Sequence, residues 1–494
     1  MKKRIIFTFG VAILLIVTLL VRFLQIQIIN GSELSVKADK QYLLTDKLDI
    51  VRGDIYDRNM ISFTNRSERD YILTRPPCII HGTNRYDGDS IAKLVTGYVK
   101  GKDSIGDMGL ERQYNDILSD NDSISVSAVK NGTGAILDGL GYAISAQNAP
   151  DNIQTTLDYH IQDICEKVLT TRKATGAIVV EDVESGDILA MGSKPDYDHL
   201  DLEKSFNSDD GEFINRAGSA YNLGSVFKTV VVAAALEAGI DLSHAYYCNG
   251  YVNVNGHEIK CSSYKTGGHG LVGLEDAYAE SCNSYFIELG LELGYDKIVS
   301  MAQRFGFGNV TGLNAQGIYE TPGSLIMNSN DSSDTAYLSI GQGTLLATPL
   351  QIASMMATIA NGGVKVKTNI VSAITDKEGN SVQDLEEHKV ERVVSENTAK
   401  ELLHLMSLVV SEGTGNLAGT NLKYPAAGKT GSAETGIFNN GVQTVHHWFG
   451  GLYPVIDGQK PKYSITVFVE NGATLGIYAP VLFADVAKQL ESYF

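Results

Sequence analysis

The residues best suited to chemistry in this sequence begin with Ser225 and Lys228, which stand three positions apart. On a helix, residues at i and i+3 share one face, with their Cβ atoms about 5–6 Å apart. An amine that burial keeps uncharged could take the proton of such a hydroxyl and make the oxygen a nucleophile. The pair therefore predicts acyl transfer through a covalent serine ester.

A serine three residues before a lysine is a weak signal by itself. The same pattern occurs at Ser90/Lys93, Ser127/Lys130 and Ser262/Lys265. Two later motifs separate Ser225 from these chance matches. Ser281-Cys282-Asn283 supplies a hydroxyl and a carboxamide, and Lys429-Thr430-Gly431-Ser432 precedes strand-like sequence. A second Lys-Thr-Gly triplet, at Lys265, comes before Ser281 rather than after it. Only Ser225, Ser281 and Lys429 therefore occur in the required order on a helix, a loop and a strand.

The elements that must position these motifs follow from the hydrophobic periodicity. A hairpin is predicted from Ala177–Val183 and Asp187–Met191. Helices are predicted at Ser225–Ala238, Ala277–Leu293, Tyr295–Phe305, Pro349–Ala360, Thr398–Val410 and Val481–Leu490, and further strands at Lys429–Glu434, His447–Tyr453 and Tyr463–Val469. Strands at both ends with a helical insertion between them predict an α+β fold, an antiparallel sheet covered by helices. The Gly306-Phe-Gly308 and Gly413-Thr-Gly415 clusters lack the context of a nucleotide loop and are interpreted as turns.

Length and charge exclude several classes of protein. A chain of 494 residues predicts two or three domains, and 43% hydrophobic residues give it an adequate core. The 40 basic and 58 acidic residues leave a net charge of −18. Such a chain repels phosphate backbones, so no nucleic-acid partner is expected.

The first segment predicts a membrane anchor. Lys2, Lys3 and Arg4 precede an uncharged apolar run from Ile5 to Val21. About 20 apolar residues span the hydrocarbon core of a bilayer. A cleaved signal peptide and a buried core helix are the alternatives, but the bulky Arg22–Gln25 sequence does not favour cleavage. The basic residues predict a cytoplasmic N-terminus and a catalytic portion outside the cell.

Three cysteines and a histidine form a separate pattern, because Cys248, Cys261, His269 and Cys282 are spaced C-x12-C-x7-H-x12-C. Thiolates and an imidazole on such a loop could bind a structural zinc ion and brace the second motif. Cys282 would then point away from the cleft that its neighbours face. A Cys248–Cys261 disulfide and buried free thiols are the alternatives, and His257 could replace His269.

The ordered motifs resemble those of the serine penicillin-interacting enzymes. Over nearly the whole chain the sequence further resembles the class B penicillin-binding proteins, which are single-span peptidoglycan transpeptidases. The resembling segments are the basic anchor, Arg52–Asn59, Gly186–Met191, Gly341-Gln342-Gly343, Thr348–Ala353, Ala427–Glu434 and Trp448-Phe449-Gly450. The resemblance implies the penicillin-binding transpeptidase fold with an all-helical subdomain and an elongated N-terminal pedestal.

The resemblance also implies the boundaries of four regions. These are a cytoplasmic tail at 1–4, a transmembrane anchor at 5–29, a pedestal of the penicillin-binding protein dimerisation type at 30–152 and a transpeptidase domain at 153–494. The pedestal carries no glycosyltransferase signature, so a SEDS-family glycan polymerase is the expected membrane partner. The substrates would be peptidoglycan stem peptides that end in D-Ala-D-Ala, with β-lactams as covalent inhibitors and no cofactor required for catalysis.

In the expected reaction, Ser225 attacks the carbonyl between the two D-alanines and Lys228 acts as its base. Ser281 passes the proton to the departing D-alanine, while Asn283 orients the substrate amide and Lys228. An alternative for Ser281 is a helix cap.

The third motif is expected to bind the rest of the acyl donor. Lys429 would polarise Ser281 and, with Thr430, attract the terminal carboxylate. Gly431 would let the peptide backbone lie against the strand. Backbone N–H groups of Ser225 and Ser432 would form the oxyanion hole, each contributing about 3 kcal/mol. As alternatives, Thr430 and Ser432 could be ordinary strand residues.

Two other functions use the same motifs. A β-lactamase needs a carboxylate that activates the deacylating water, but Glu320, the one acid between Val310 and Ser324, does not resemble the loop that carries it in such enzymes. A β-lactam sensor would be expected to have several spans and a cytoplasmic output domain. We therefore expect a transpeptidase that deacylates slowly.

Overall fold

The structure is a computed structural model, and its residues form two compact units. It describes residues 2–29, 43–48, 52–74, 77–100, 105–119, 124–131, 135–137, 142–145, 150–241, 243, 245–325, 331–439 and 441–493. The first unit comprises 1–52, 68–83 and 120–150, and the second comprises 53–67, 84–119 and 151–494.

The first unit contains a long apolar helix. An α-helix spans Lys2–Leu24 and continues as a π-helical turn at Gln25–Ile29. Of the residues described, Lys2–Ile28 form the one helix that is long and apolar enough to cross a membrane, with a mean hydropathy of 2.6 and no buried residue. Strands Leu43–Leu48, Ile124–Val129 and Tyr142–Ser145 pair as an antiparallel sheet, and Ser67–Thr74 pairs with Pro77–Asn84.

The second unit is built on a five-stranded antiparallel sheet. Its strands are, in spatial order, Ile188–Lys194, Gly176–Asp182, Tyr463–Val469, Val442–Tyr453 and Ala427–Asn439. Every residue of Tyr463–Val469 is buried, because this middle strand is covered on both faces. The strand Ala427–Asn439, called the edge strand below, has a neighbour on one side within the sheet.

Helices cover both faces of this sheet. Asp158 caps the helix Tyr159–Thr171 by accepting from the backbone N–H groups of His160 and Ile161. The apolar side of the helix Tyr159–Thr171 packs with the helix Ala479–Leu490 on the sheet. On the other face, Pro349–Ala360 is buried along its whole length, and Ser464 Oγ of the middle strand donates to the Ala353 carbonyl, 2.8 Å away.

The helix Lys228–Glu237, called the central helix below, is buried from Lys228 to Ala235. It is apolar on all sides, as expected of a helix enclosed by others. It lies in one hydrophobic core with the helices Asn283–Leu293 and Glu396–Ser411. The α+β fold and the predicted bounds of Tyr295–Phe305, Pro349–Ala360 and Tyr463–Val469 are confirmed.

The remaining elements of the second unit are short or peripheral. Further helices are Lys93–Thr96, Gly109–Gln113, Asn115–Ser119, Leu202–Phe206, Leu274–Ala279, Ser332–Ser339 and Gly472–Leu475, with 3-10 turns at Gly224–Phe227, Ser262–Thr266, Leu313–Gln316, Asn416–Gly419 and Glu491–Tyr493. One four-stranded sheet joins Ile55–Tyr56, Asn152–Thr155, Val371–Thr375 and Ser381–Asp384. Two-stranded pairs are Val99–Lys100 with Ile105–Gly106, Tyr221–Asn222 with Leu346–Ala347, Tyr246–Cys248 with Gly270–Val272, Tyr251–Val254 with His257–Lys260, and Val364–Val366 with Val390–Arg392.

One predicted helix, Ala277–Leu293, is wrong. The segment forms two helices, Leu274–Ala279 and Asn283–Leu293, and the chain turns between them at Ser281. The first helix ends there because Ser281 adopts a left-handed backbone conformation.

Candidate active site

A cleft of about 1040 Å³ lies between the edge strand and the helices of the second unit. Its walls include residues of all three motifs, namely Ser225, Ser281, Asn283, Thr430, Gly431 and Ser432. Lys228 and Lys429 lie beneath them and are fully buried. The structure thus brings together the eight residues that the sequence predicted for catalysis and substrate binding.

Ser225 lies in the 3-10 turn Gly224–Phe227, one turn before the central helix. Gly224 has a φ of 67°, and a Cβ there would lie 2.5 Å from the carbonyl oxygen of Ser432. Its N–H donates to the carbonyl of Gly341, 2.9 Å away. A glycine is required at this approach of turn and strand, and it leaves Ser225 half-buried on the wall of the cleft.

Ser281 sits in the turn that ends the helix Leu274–Ala279. Its φ of 56° is in the left-handed region that non-glycine residues rarely adopt. Its N–H donates to Tyr278 O at 3.3 Å, and the next N–H, of Cys282, donates to Ala277 O at 2.8 Å. These two bonds form a Schellman motif, in which glycine is the usual residue at this position. The turn ends one helix and sets Ser281 in the wall of the cleft.

Lys228 is the first residue of the central helix, and its amine contacts the second motif. Nζ lies 2.7 Å from Ser281 O, 2.7 Å from Asn283 Oδ1 and 3.2 Å from Ser281 Oγ. Burial lowers the pKa of Lys228 to about 7. A neutral amine has two N–H donors and one lone pair. Ser281 O and Asn283 Oδ1 are carbonyl oxygens and can only accept. If they take both N–H donors, the lone pair is left to accept a proton from a hydroxyl.

Asn283 links this amine to the surrounding loop. Its Nδ2 donates to Lys260 O at 2.9 Å, and its backbone N–H donates to Cys261 Sγ at 3.3 Å. The first bond fixes the amide so that Oδ1 faces Lys228. The position of Asn283 therefore depends on the strand and turn around Cys261.

Lys429 belongs to the edge strand, and its amine lies beside a ring face. Its Nζ is 3.5 Å from Thr430 O and 5.4 Å from the centre of the Tyr278 ring. Burial, and secondly the neighbouring Lys228, hold the pKa of Lys429 well below its usual range. An anion in the cleft would favour the charged form of this amine.

The edge strand runs beside the turn that carries Ser225. A Cβ on Gly431 would lie 2.9 Å from Leu223 O and 2.9 Å from Val226 Cγ2. A side chain at Gly431 would therefore collide with the turn that carries Ser225. The sequence had suggested a different reason for the glycine, which is close approach of the substrate backbone. The Trp448 ring N–H on the next strand donates to Asn222 O at 2.9 Å, so the segment before Ser225 is held as well.

Thr414 is a cleft residue that sequence reasoning missed. It stands in the Gly413-Thr-Gly415 cluster, which was interpreted only as a turn. Its hydroxyl lies 2.7 Å from the Thr430 hydroxyl, and both residues line the cleft. In the sequence, Thr414 is only a polar residue between two glycines, and this pattern does not reveal its contact with Thr430.

The predicted metal ligands Cys248, Cys261, His269 and Cys282 converge beside the second motif. Their ligand atoms all lie within 4.8 Å of one another. His269 Nδ1 is 3.6 Å from Cys248 Sγ and 3.5 Å from Cys261 Sγ, and Cys261 Sγ is 4.0 Å from Cys282 Sγ. Zinc bonds of about 2.0–2.3 Å in a tetrahedron give ligand separations of about 3.5–3.8 Å. The donor set suits zinc, and the two His269 separations match this spacing, whereas the four ligand atoms as a set extend to 4.8 Å.

Cys248, Cys261 and Cys282 are buried and are free thiols, as is Cys165 elsewhere in the unit. His269 supplies the imidazole, whereas His257 is exposed on a hairpin. Cys282 Sγ points toward this cluster, on the side away from the cleft that its neighbours line.

A serine, a buried amine and an edge strand around one cleft, on an antiparallel sheet covered by helices, form the arrangement that is typical of the serine penicillin-interacting enzymes. Residues 176–488 match the family model described as the penicillin-binding protein transpeptidase domain. The chain belongs to this family, within the class B penicillin-binding proteins.

Three known proteins illustrate the similarity. The chain is 29% identical to the peptidoglycan D,D-transpeptidase MrdA of Acinetobacter baumannii over 84% of its own length and 64% of the relative's. Penicillin-binding protein 3 of Mycobacterium tuberculosis, solved with aztreonam, is 25% identical with a TM-score of 0.72, covering 91% of this chain and 97% of that one. A chain from a structure on the coordination of polymerization and crosslinking by a peptidoglycan synthase complex is 24% identical with a TM-score of 0.76, covering 99% and 98%.

Proposed function

We propose that this protein is a membrane-anchored peptidoglycan D,D-transpeptidase. The observation that carries the proposal is the environment of Lys228. Its buried amine has a pKa of about 7 and stands one turn after Ser225 and 3.2 Å from the Ser281 hydroxyl. An amine of this kind is half neutral near pH 7 and can serve as a general base there.

In the proposed reaction, Lys228 takes the proton of Ser225 while Oγ attacks the carbonyl carbon between the two D-alanines. The N–H groups of Ser225 and Ser432 stabilise the resulting oxyanion. The C–N bond then breaks, and Ser281 passes a proton from Lys228 to the leaving D-alanine. The amine of a second stem peptide then attacks the ester carbonyl and forms the cross-linking amide. The ester C–O bond breaks, and the proton that the amine loses returns to Ser225 through Lys228. Asn283 would orient the substrate amide and Lys228. Lys429 and Thr430 would attract the terminal carboxylate, and Gly431 would let the substrate backbone lie against the strand.

The same serine would be acylated by β-lactams and would release them slowly. Glu320, the acid considered for a β-lactamase, accepts four hydrogen bonds at 2.8–2.9 Å from its own loop. The donors are the Thr311 N–H and hydroxyl, the Gly312 N–H and the Asn314 N–H. A carboxylate occupied in this way does not activate water, which favours the transpeptidase over the β-lactamase.

The cysteine and histidine cluster would bind a structural zinc ion. Zinc would take no part in acyl transfer, for which the family requires no cofactor. The support for a structural role is the hydrogen bond from the Asn283 N–H to Cys261 Sγ, through which a fixed cluster would hold Asn283 against Lys228.

The anchor would place the N-terminus in the cytoplasm and the cleft outside, as the basic residues before the helix predict. We further propose that residues 30–152 form the pedestal and that a SEDS-family polymerase supplies the glycan strands. Support for this partner is the likeness in fold to a chain of a peptidoglycan synthase complex. Within the range 30–152, segments 53–67 and 84–119 pack in the second unit.

The test of the reaction uses the full chain in detergent. Mass spectrometry after benzylpenicillin treatment should show one adduct on the wild type and none on Ser225→Ala. A pentapeptide stem should release D-alanine only with the wild type. Covalent labelling of Ser225→Ala would refute the assignment, rapid turnover of penicillin would favour a β-lactamase, and labelling without release of D-alanine would favour a sensor.

The test of the zinc site is metal analysis of protein purified without a polyhistidine tag. One zinc per chain is expected for the wild type, less for Cys261→Ser, and one for Cys165→Ser, a matched control because Cys165 is buried away from the cluster. Absence of stoichiometric zinc from the wild type would rule the site out.

A further inference from the structure

Thr414 and Thr430 form a pair of hydroxyls on the wall of the cleft. Their Oγ1 atoms lie 2.7 Å apart, a strong hydrogen-bond distance, and either atom could be the donor. Thr414 is exposed and Thr430 is half-buried, so a ligand in the cleft can reach both. Which of the two donates decides what Thr430 can offer to that ligand.

The loop that carries Thr414 is held in place by its backbone. The Thr414 N–H donates to Ala279 O at 3.1 Å, and the Gly415 N–H donates to Val409 O at 2.9 Å. A Cβ on Gly413 would lie 2.3 Å from Ala279 O, so the loop packs directly against the helix end before Ser281. Thr414 is therefore presented to Thr430 from a fixed position.

A carboxylate that takes the proton of Thr430 leaves the Thr430 oxygen to accept, which favours Thr414 as the donor of the bond between them. The Thr414 hydroxyl has one proton and two acceptors within reach, Ala279 O at 3.3 Å and Thr430 Oγ1 at 2.7 Å. Ala279 O already accepts the N–H of Thr414, and the bond to Thr430 is the shorter one. If Thr414 donates to Thr430, the proton of Thr430 is free to point into the cleft. A hydroxyl that accepts one hydrogen bond is also a stronger donor in the next.

We propose that Thr414 is a positioning residue that donates its proton to Thr430 and so aims the Thr430 hydroxyl at the terminal carboxylate of the acyl donor. The proposal rests on the proposed function, in which Thr430 binds this carboxylate. Thr414 would then help to select substrates and antibiotics that carry the carboxylate.

The test compares benzylpenicillin with its methyl ester, which lacks the anionic carboxylate. The measured quantity is the second-order rate constant of acylation of the full chain. Thr414→Val, which keeps the shape and loses the hydroxyl, should lower this constant about five- to tenfold for penicillin and less than about twofold for the ester. Thr414→Ser should remain within about twofold of the wild type for both probes. Thr430→Val combined with Thr414→Val should lose no more than Thr430→Val alone.

Several results would overturn the proposal. An equal loss for both probes in Thr414→Val would mean that the residue only supports the fold, and an additive loss in the double variant would mean that the two threonines act independently. An unchanged constant for penicillin in Thr414→Val would exclude the role of Thr414 while leaving the transpeptidase assignment in place. Failure of the wild type to be acylated, or acylation of Ser225→Ala, would instead refute the proposed function itself.

Discussion

Lys228 and Lys429 lie buried beneath the same cleft, yet the protein holds their amines in different ways. Lys228 has three oxygens within 3.2 Å, from Ser281 and Asn283. Lys429 has one carbonyl at 3.5 Å and the face of Tyr278 at 5.4 Å. Burial alone therefore does not assign a role to a lysine. Oxygens of the protein itself surround the Lys228 amine, whereas the few contacts of Lys429 leave an amine that a bound anion can still satisfy.

The pKa values point in the same direction. Burial lowers the pKa of both amines, and the charge of Lys228 lowers that of Lys429 further. Two neighbouring ammonium ions are therefore disfavoured beneath the cleft. A ligand carboxylate would raise the pKa of Lys429 and allow it to become the cation while Lys228 remains the base. Substituting the two lysines one at a time tests this division of roles.

The largest effect is expected from Lys228→Met. Removal of a general base costs about 10²–10⁴-fold in rate, and we expect acylation by penicillin to fall by about 10³-fold. Lys228→Arg should be equally inactive, because a guanidinium does not lose its proton. The measurement is the acylation rate of folded protein by mass spectrometry. An acylation rate above about a tenth of the wild type in either variant would contradict the role of Lys228.

Lys429→Met should cost less, about 10²-fold, because the serine and its base remain. The loss should lie mainly in binding of ligands with a carboxylate, since the cation that attracts it is gone. Rates measured over a range of benzylpenicillin concentrations separate this loss of binding from a slower chemical step. A fall in the limiting rate as large as that of Lys228→Met would show that the two lysines share one role.

The bounds of helices and strands could be predicted where their cause is local. The buried helix Pro349–Ala360 and the strand Tyr463–Val469 are apolar throughout their length, so their bounds could be predicted. The edge strand was predicted to end at Glu434 and continues to Asn439. Its last residues are polar or exposed and carry no burial signal.

The features that the sequence did not predict depend on tertiary contacts. The helix break at Ser281 requires a left-handed serine, which no propensity indicates and which the surrounding packing must hold in place. The pairing of Thr414 with Thr430 joins a turn and a strand 16 residues apart. The order of the three motifs predicted which residues meet at the cleft, whereas the two environments of the lysines could be described only from the structure.

The pH dependence of acylation tests whether Lys228 acts as the base. Lys228 must be neutral to act, so the acylation rate should rise with pH through a midpoint near 7, the pKa of Lys228. Asn283→Asp places a carboxylate where Oδ1 now accepts from this amine at 2.7 Å. The variant should move the midpoint upward by about 1–3 pH units and lower the rate at pH 7 by about tenfold or more, and the rate should still rise with pH through the shifted midpoint. A flat wild-type profile between pH 6 and 8, or an unshifted midpoint in the variant, would argue against Lys228 as the base.

The smallest effect is expected from Tyr278→Phe, which tests what holds Lys429. The Tyr278 hydroxyl lies 2.7 Å from Thr229 Oγ1, whereas its ring faces the Lys429 amine. Removing the hydroxyl leaves Thr229 without this buried partner and should lower the free energy of unfolding by about 1–2 kcal/mol. Acylation should remain within about twofold of the wild type, because the ring face is kept. Urea unfolding measures the first effect, and a large loss of acylation at unchanged stability would mean that the hydroxyl, rather than the ring, positions Lys429.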